Sequence, residues 1–328
     1  MRRFAICTAI ATMVLMPSTA AVAQQEVVAP TAQPVQTQMQ VALEQVGDSR
    51  RTILTGSKIR VRGTVGVYVV GERITVRFTS DQKRLGARSV ALVPGPDGTG
   101  RFALSYRAER SGRLVVRAVH EPTAALGDLR ATPPSVDVLP RSVNARSRQH
   151  TVRGLQRRLS RLGYVVGRRG VYDARTARAV LAFRKMTGMR RTTSASVEVM
   201  RRIARGAGAF KVRHPGHGRH IEADLRRQVI ALISGGRVQR IYPTSSGKSS
   251  TPTVLGSFRV YRKTPGINAL GMVDSAYFIR GYATHGFSSV PIYPASHGCL
   301  RVPVPDARSL FNWISIGTPV DVYYGPKP

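Results

Sequence analysis

The chain has 328 residues, with 51 Lys and Arg against 17 Asp and Glu, for a formal net charge of +34. That length accommodates two or three domains, and such a field attracts polyanions. Aromatics make up only 6% of the residues, so stacking platforms for single-stranded nucleic acid are not evident.

In chain order, Arg2 and Arg3 precede an apolar stretch from Phe4 to Met16, and Ala21-Val22-Ala23 fits a small-x-small cleavage site. This predicts a removable export signal over residues 1–23 and an extracytoplasmic protein of the periplasm or cell wall. A membrane-spanning helix needs about 20 apolar residues, more than this stretch offers. Export removes nucleic acid as an expected partner and leaves acidic wall polymers as the polyanions the charge would meet. Membrane contact is expected only through the signal.

Residues 24–48, rich in Gln, Pro, Ala, Thr and Val without steady periodicity, predict a flexible spacer. Over residues 49–140 the texture becomes short alternating runs, as in Lys58-Ile59-Arg60-Val61-Arg62-Gly63, Arg73-Ile74-Thr75-Val76-Arg77-Phe78 and Arg113 to Val119. Pro94-Gly95-Pro96-Asp97-Gly98 is a turn signal between them. Such strands predict an antiparallel, immunoglobulin-like β-sandwich with no catalytic residues of its own. Pro133-Pro134 and Pro140 mark the next linker.

Helical spacing takes over across residues 150–206. Val152, Leu155, Leu159 and Leu162 share one face; Ala179, Val180 and Phe183 share another; Val197, Met200 and Ile203 a third. By pattern alone this is a basic three-helix unit. Its residues Val152 to Leu159, Leu162-Gly163-Tyr164, Gly170-Val171-Tyr172 and Thr176-x-x-Ala179-Val180-x-x-Phe183 resemble the common three-helix peptidoglycan-binding domain. Arg169 and Arg184 depart from it, standing where an acidic residue and a glutamine are usual. The resemblance implies peptidoglycan glycan as a partner.

Strand signals return over residues 209–326, in Gln228 to Ile233, Gly256 to Tyr261 and Thr318 to Tyr323, with a short helix from Asp306 to Ile314. This stretch carries Ser296-His297-Gly298-Cys299-Leu300-Arg301, with His285 twelve residues before His297. The other cysteine, Cys7, lies in the expected signal, so the mature chain keeps one thiol in an oxidising compartment, where reactivity is a reason to keep it. The thiolate is the reactive form, and a nearby histidine can take its proton. The tetrahedral oxyanion that follows attack on an amide needs preorganised donors. Gly298 permits the turn, and Arg301, two residues beyond Cys299, suits a substrate carboxylate. Residues alone leave two alternatives open: a buried, inert cysteine, and a zinc site built from Cys299, His285 and His297 with His217 or His220 as fourth ligand.

His285-Gly286-Phe287 and the Ser296-to-Val302 run resemble the L,D-transpeptidase (YkuD-type) catalytic domain. Gln228, Thr244-Ser245-Ser246-Gly247, Thr251-Pro252-Thr253 and Gly317-Thr318-Pro319-Val320 extend the likeness. A short His285–Ser296 interval, Ser246 for threonine and Arg301 for asparagine depart from it. The resemblance implies a mainly β, multidomain cross-linking enzyme: sandwich, peptidoglycan-binding unit, β-rich catalytic domain. Cys299 would be the nucleophile, His285 the base oriented by the Gly286 carbonyl, His297 an aid in placing the thiol, and the Gly298 and Cys299 amides the oxyanion donors. Ser296 and Arg301 would contact peptidoglycan stem peptides. It implies neither metal nor organic cofactor. L,D-carboxypeptidase chemistry and a non-catalytic wall-binding scaffold are the alternatives it leaves.

Overall fold

The computed structural model describes residues 33–47 and 51–327. The expected export signal, Cys7 within it and the first part of the expected spacer lie outside the described residues. Among the described residues, the chain to Leu139 forms ten strands: β1 (Met39–Glu44), β2 (Thr52–Leu54), β3 (Lys58–Val65), β4 (Arg73–Ser80), β5 (Lys83–Ala91), β6 (Val93–Pro94), β7 (Gly100–Arg107), β8 (Gly112–His120), β9 (Leu129–Ala131) and β10 (Val136–Leu139). One sheet runs β1-β3-β7-β6; the other runs β2-β10-β8-β4-β5, with β9 also against β8. Along β3, Ile59, Val61 and Val65 are buried while Lys58, Arg60 and Arg62 are exposed. The alternation read from the sequence is thus the pleat of a half-buried strand. One correction concerns the spacer. Met39–Glu44 pairs antiparallel with β3, and Met39, Leu43 and Val46 are buried in the sandwich core. The two-residue spacing of Met39, Val41 and Leu43 was the signal, masked by the Gln-rich composition around it.

Three helices follow: α1 (Gln149–Arg161), α2 (Ala174–Met186) and α3 (Val197–Ala204). The Asp173 side chain caps α2 by accepting the Thr176 N–H at 2.8 Å. The faces read from spacing are buried except at Leu162 and Val197, which are half-buried; Val199 takes the inner place on α3. Gln156 is buried and donates to the carbonyls of Arg168 and Val171, tying α1 to the loop before α2. Arg184, the departure at the end of α2, is also buried. It donates to Ser194 O, Arg190 O and Ser196 Oγ, so its guanidinium fastens the α2–α3 connection.

The remainder comprises β11 (His220–Asp224), β12 (Val229–Ser234), β13 (Arg237–Pro243), β14 (Gly256–Arg259), β15 (Arg262–Ile267), β16 (Val273–Ile279), β17 (Tyr282–Phe287), β18 (Leu300–Pro303), α4 (Val304–Trp313) and β19 (Pro319–Tyr323). They form a five-stranded sheet, β13-β12-β11-β19-β14, and a four-stranded sheet, β15-β16-β17-β18. The run Val229-Ile230-Ala231-Leu232-Ile233 is apolar throughout because both its faces are covered. Val229, Ala231 and Ile233 pack with the helical unit around Phe183 and Tyr164. Ile230 and Leu232 face a second core, with α4 and the four-stranded sheet. Polar ties reinforce the shared core. Buried Asp306, in the first turn of α4, accepts from Arg175 at 2.6 Å and lies 3.5 Å from Arg178, both on α2.

Lys185 at the end of α2 is buried, and its Nζ donates to Gln228 O at 3.2 Å and Thr244 O at 2.9 Å. Burial, with the Arg191 charge adding to it, lowers its pKa to about 7. An unfolded chain holds this proton up to about pH 10.4, so between pH 7 and that value unfolding takes up a proton. Stability from this group is therefore complete above the unfolded value and is lost as pH falls through 7. Lys185→Met should remove that slope. In urea titrations the wild type gains on the variant from pH 7 to pH 10, and a pH-independent difference refutes the assignment.

Candidate active site

β17 and β18 run parallel, with Thr284 opposite Leu300, His285 opposite Arg301 and Gly286 opposite Val302. Because side chains alternate, His285, Arg301 and Phe287 share one face of this pair with Cys299, which sits just before β18. Cys299 packs against Met272, Tyr277 and Ala283. Phe287 closes the row. Its ring lies 4.0 Å from the Arg301 guanidinium carbon and meets the His285 ring edge-on with centroids 5.7 Å apart. The other face rests on α4, and Gly286 leaves room for it: a Cβ there would lie 2.5 Å from Ala307 Cβ.

His285 is buried, and its Nδ1 donates to Gly286 O at 2.8 Å. A carbonyl only accepts, so Nδ1 carries the proton and Nε2 keeps a lone pair. Burial lowers the ring's pKa to about 4, the Gly286 carbonyl opposing and the Arg301 charge adding to the fall. Burial also raises the Cys299 pKa, against smaller opposing effects of the Ala283 amide and Arg301. The thiol faces Gly281 O at 3.7 Å. Both shifts favour the neutral forms, a thiol and a neutral imidazole on one face of the strand pair, over a thiolate–imidazolium pair.

The loop before Cys299 is held on all sides. Ser296 is buried; its Oγ donates to Cys299 O at 2.6 Å and accepts the Gly298 N–H at 3.1 Å. Thr253 Oγ1 donates to Gly298 O at 2.7 Å, and Thr251 Oγ1 to Ser296 O at 3.1 Å. Ser296 N donates to Ser246 O, and Lys248 N to Ser296 O. Gln228 in turn grips Ser246, donating to its Oγ at 2.6 Å and accepting from its N–H at 2.9 Å. The outlying motif residues Gln228, Ser246, Gly247, Thr251 and Thr253 are thus the cradle of the cysteine loop. Gly298 has φ +115°, and a Cβ there would lie 2.0 Å from Tyr282 Cε1.

The structure therefore brings His285, Arg301, Gly286, Ser296 and Gly298 around Cys299. His297 is exposed, and among the described residues no hydrogen bond, ion pair or ring contact joins it to the thiol. His217 and His220, considered as zinc ligands with Cys299, lie elsewhere: His217 Nδ1 is 3.0 Å from Asp321 and His220 Nε2 is 3.2 Å from Glu222. Buried Phe278 belongs to the core, whereas Tyr277 lines the thiol's surroundings and Tyr293 is exposed. Sequence reasoning missed Tyr282, the first residue of β17, and Met272, just before β16, whose only signal was the apolar run beside each, and the buried, unpartnered Nε of Arg301.

Comparison with known families matches the L,D-transpeptidase catalytic domain over residues 218–322 and a putative peptidoglycan binding domain over residues 148–202. Among solved structures, an L,D-transpeptidase from Xylanimonas cellulosilytica is 33% identical, covering 58% of this chain and 100% of its own, with a TM-score of 0.50. An Enterococcus faecium L,D-transpeptidase mutant is 28% identical over 32% of this chain and 50% of its own, with a TM-score of 0.29. An L,D-transpeptidase from Mycobacterium smegmatis is 12% identical over 88% of this chain and 100% of its own, with a TM-score of 0.29. Comparison with curated proteins returns no match.

Proposed function

Since this chain belongs to the L,D-transpeptidase family, we propose that it forms peptidoglycan cross-links by acyl transfer through Cys299, after export to the periplasm or cell wall. The donor is a tetrapeptide stem. Cys299 Sγ attacks the carbonyl between its third residue and the terminal D-alanine, while His285 Nε2 takes the thiol proton. The amide of Cys299 stabilises the oxyanion, together with that of Gly298 once Ser296 Oγ releases it. Collapse breaks the C–N bond, the imidazolium protonates the departing D-alanine nitrogen, and a thioester remains. A side-chain amine of a neighbouring stem then attacks the thioester, the C–S bond breaks, and the proton it sheds returns to the sulfur by way of His285. Arg301, with Nε buried and unpartnered, holds the donor's carboxylate.

The observation that carries this reading is the single-sided imidazole: Nδ1 committed to the Gly286 carbonyl, Nε2 basic, on the face shared with the thiol. A carbapenem contains a strained amide that the same sulfur should open. Intact-mass measurement of the reduced protein should show one inhibitor mass added, and none on Cys299→Ala. Absence of any adduct after prolonged incubation with excess carbapenem would overturn the proposal.

A further inference from the structure

Outside the cysteine site, His214, His217 and Asp321 offer three ligand atoms that all lie within 4.8 Å of one another. We propose that they form a binding site for a divalent transition cation, zinc above all, independent of the acyl-transfer centre.

The three come from segments that the fold forces together. His214 precedes and His217 closes the short turn Pro215–His217 on the segment leading from the helical unit into β11. Asp321 lies in β19, the parallel neighbour of β11. A carboxylate within Val320-Asp321-Val322, 1% exposed, is costly without a cationic partner. Its two oxygens have divided roles. Oδ1 accepts from Ser257 Oγ at 2.5 Å, which fixes the group, and Oδ2 points at His217 Nδ1, 3.0 Å away.

The histidine side is equally prepared. Fully buried Glu222 accepts the N–H groups of Arg213 and His214 at 2.8 Å each, and the Tyr323 hydroxyl at 2.6 Å. That carboxylate is occupied by these donors and by His220 Nε2, 3.2 Å away, so it positions His214 rather than binding a cation itself. The His214 and His217 rings stack with centroids 4.9 Å apart. His217 is 40% exposed at its side chain, which gives a hydrated ion an entry path. Two imidazole nitrogens and one carboxylate oxygen, with support around each, suit zinc or copper and leave positions for water. Such an ion would clip the interdomain segment to the five-stranded sheet.

The rival is a cation-free His217–Asp321 ion pair, and zinc titration of untagged, metal-stripped full-length protein separates the two. Cys299→Ser serves as the background so that the thiol contributes no ligand. Calorimetry should give one Zn²⁺ per chain, with a rise in Tm that grows with free zinc, and Co²⁺ should give visible d–d absorption. His214→Ala and His217→Ala should each weaken binding at least 10-fold, Ser257→Ala less, and His297→Ala not at all. Circular dichroism confirms that each variant is folded. Binding that survives His214→Ala and His217→Ala together, or no stoichiometric binding at all, overturns the proposal.

Discussion

Cys299→Ala should lower the rate of cross-link formation by about 10⁴-fold or more, since removing a nucleophile takes with it the whole covalent route. The thiol is only partly buried, so folding stability should change by less than about 1 kcal/mol. His285→Gln keeps the volume of the ring but not its base and should cost about 10²–10⁴-fold. The pH profile separates two versions of the chemistry. With the imidazole lowered to about 4 and the thiol raised, kcat/KM should rise through pH 4 and stay level across neutrality. A preformed ion pair would instead place the acid limb at the thiol. Stability carries the same signature. The unfolded histidine takes its proton near pH 6.5, so the contribution of the neutral ring is complete above that value and is lost as pH falls through 4. The assay is conversion of tetrapeptide stems to cross-linked dimers, followed chromatographically. A Cys299→Ala protein that still makes dimers at the wild-type rate ends the cysteine mechanism.

Gly298→Ala should lower both stability and activity, by another route. Its φ of +115° is ill-suited to any side chain, and the new methyl would sit 2.0 Å from the Tyr282 ring. Overpacking and backbone strain together predict a loss of about 2–5 kcal/mol. The same displacement pulls Ser296 Oγ off the Gly298 amide and Thr253 Oγ1 off the Gly298 carbonyl. Activity should therefore fall about 100-fold or more even in the molecules that remain folded. Tyr282→Ala in the same chain removes the collision but not the strained φ, so stability should return only in part. A double-mutant cycle on urea midpoints and initial rates reads this directly. Additive effects would mean that the ring and the glycine do not interact.

Much of this was legible in the residues because the physical constraints are local. Period-two runs such as Lys58 to Gly63 became half-buried strands, and Val152, Leu155 and Leu159 became the inner face of a helix. Cys299 and His285 stand out as residue types whose chemistry has few other uses. What escaped depends on partners distant in sequence. Gln228 and Thr253 are ordinary polar residues until the fold sets them against Ser246 and Gly298. The shifts that favour a neutral thiol and ring come from burial, which spacing does not encode. Nothing in the helical spacing separates Lys185 from a surface cation, yet it is enclosed where α2 meets the loops around Gln228 and Thr244. Of His214, His217 and His220, the last two read only as spare ligands for the cysteine. Asp321, a hundred residues later, is what gathers two of them.

The double-sided burial of β12 alters what an attached wall-binding unit can accomplish. A module on a floppy tether lets its enzyme sweep a sphere, and longer tethers dilute the encounter. Here the same strand is the floor of one half and the roof of the other, so the two halves share a single heading. A molecule docked on a glycan strand would survey a narrow arc at constant radius, and strand-to-strand spacing in the wall, rather than diffusion of a leash, would select the stems within reach.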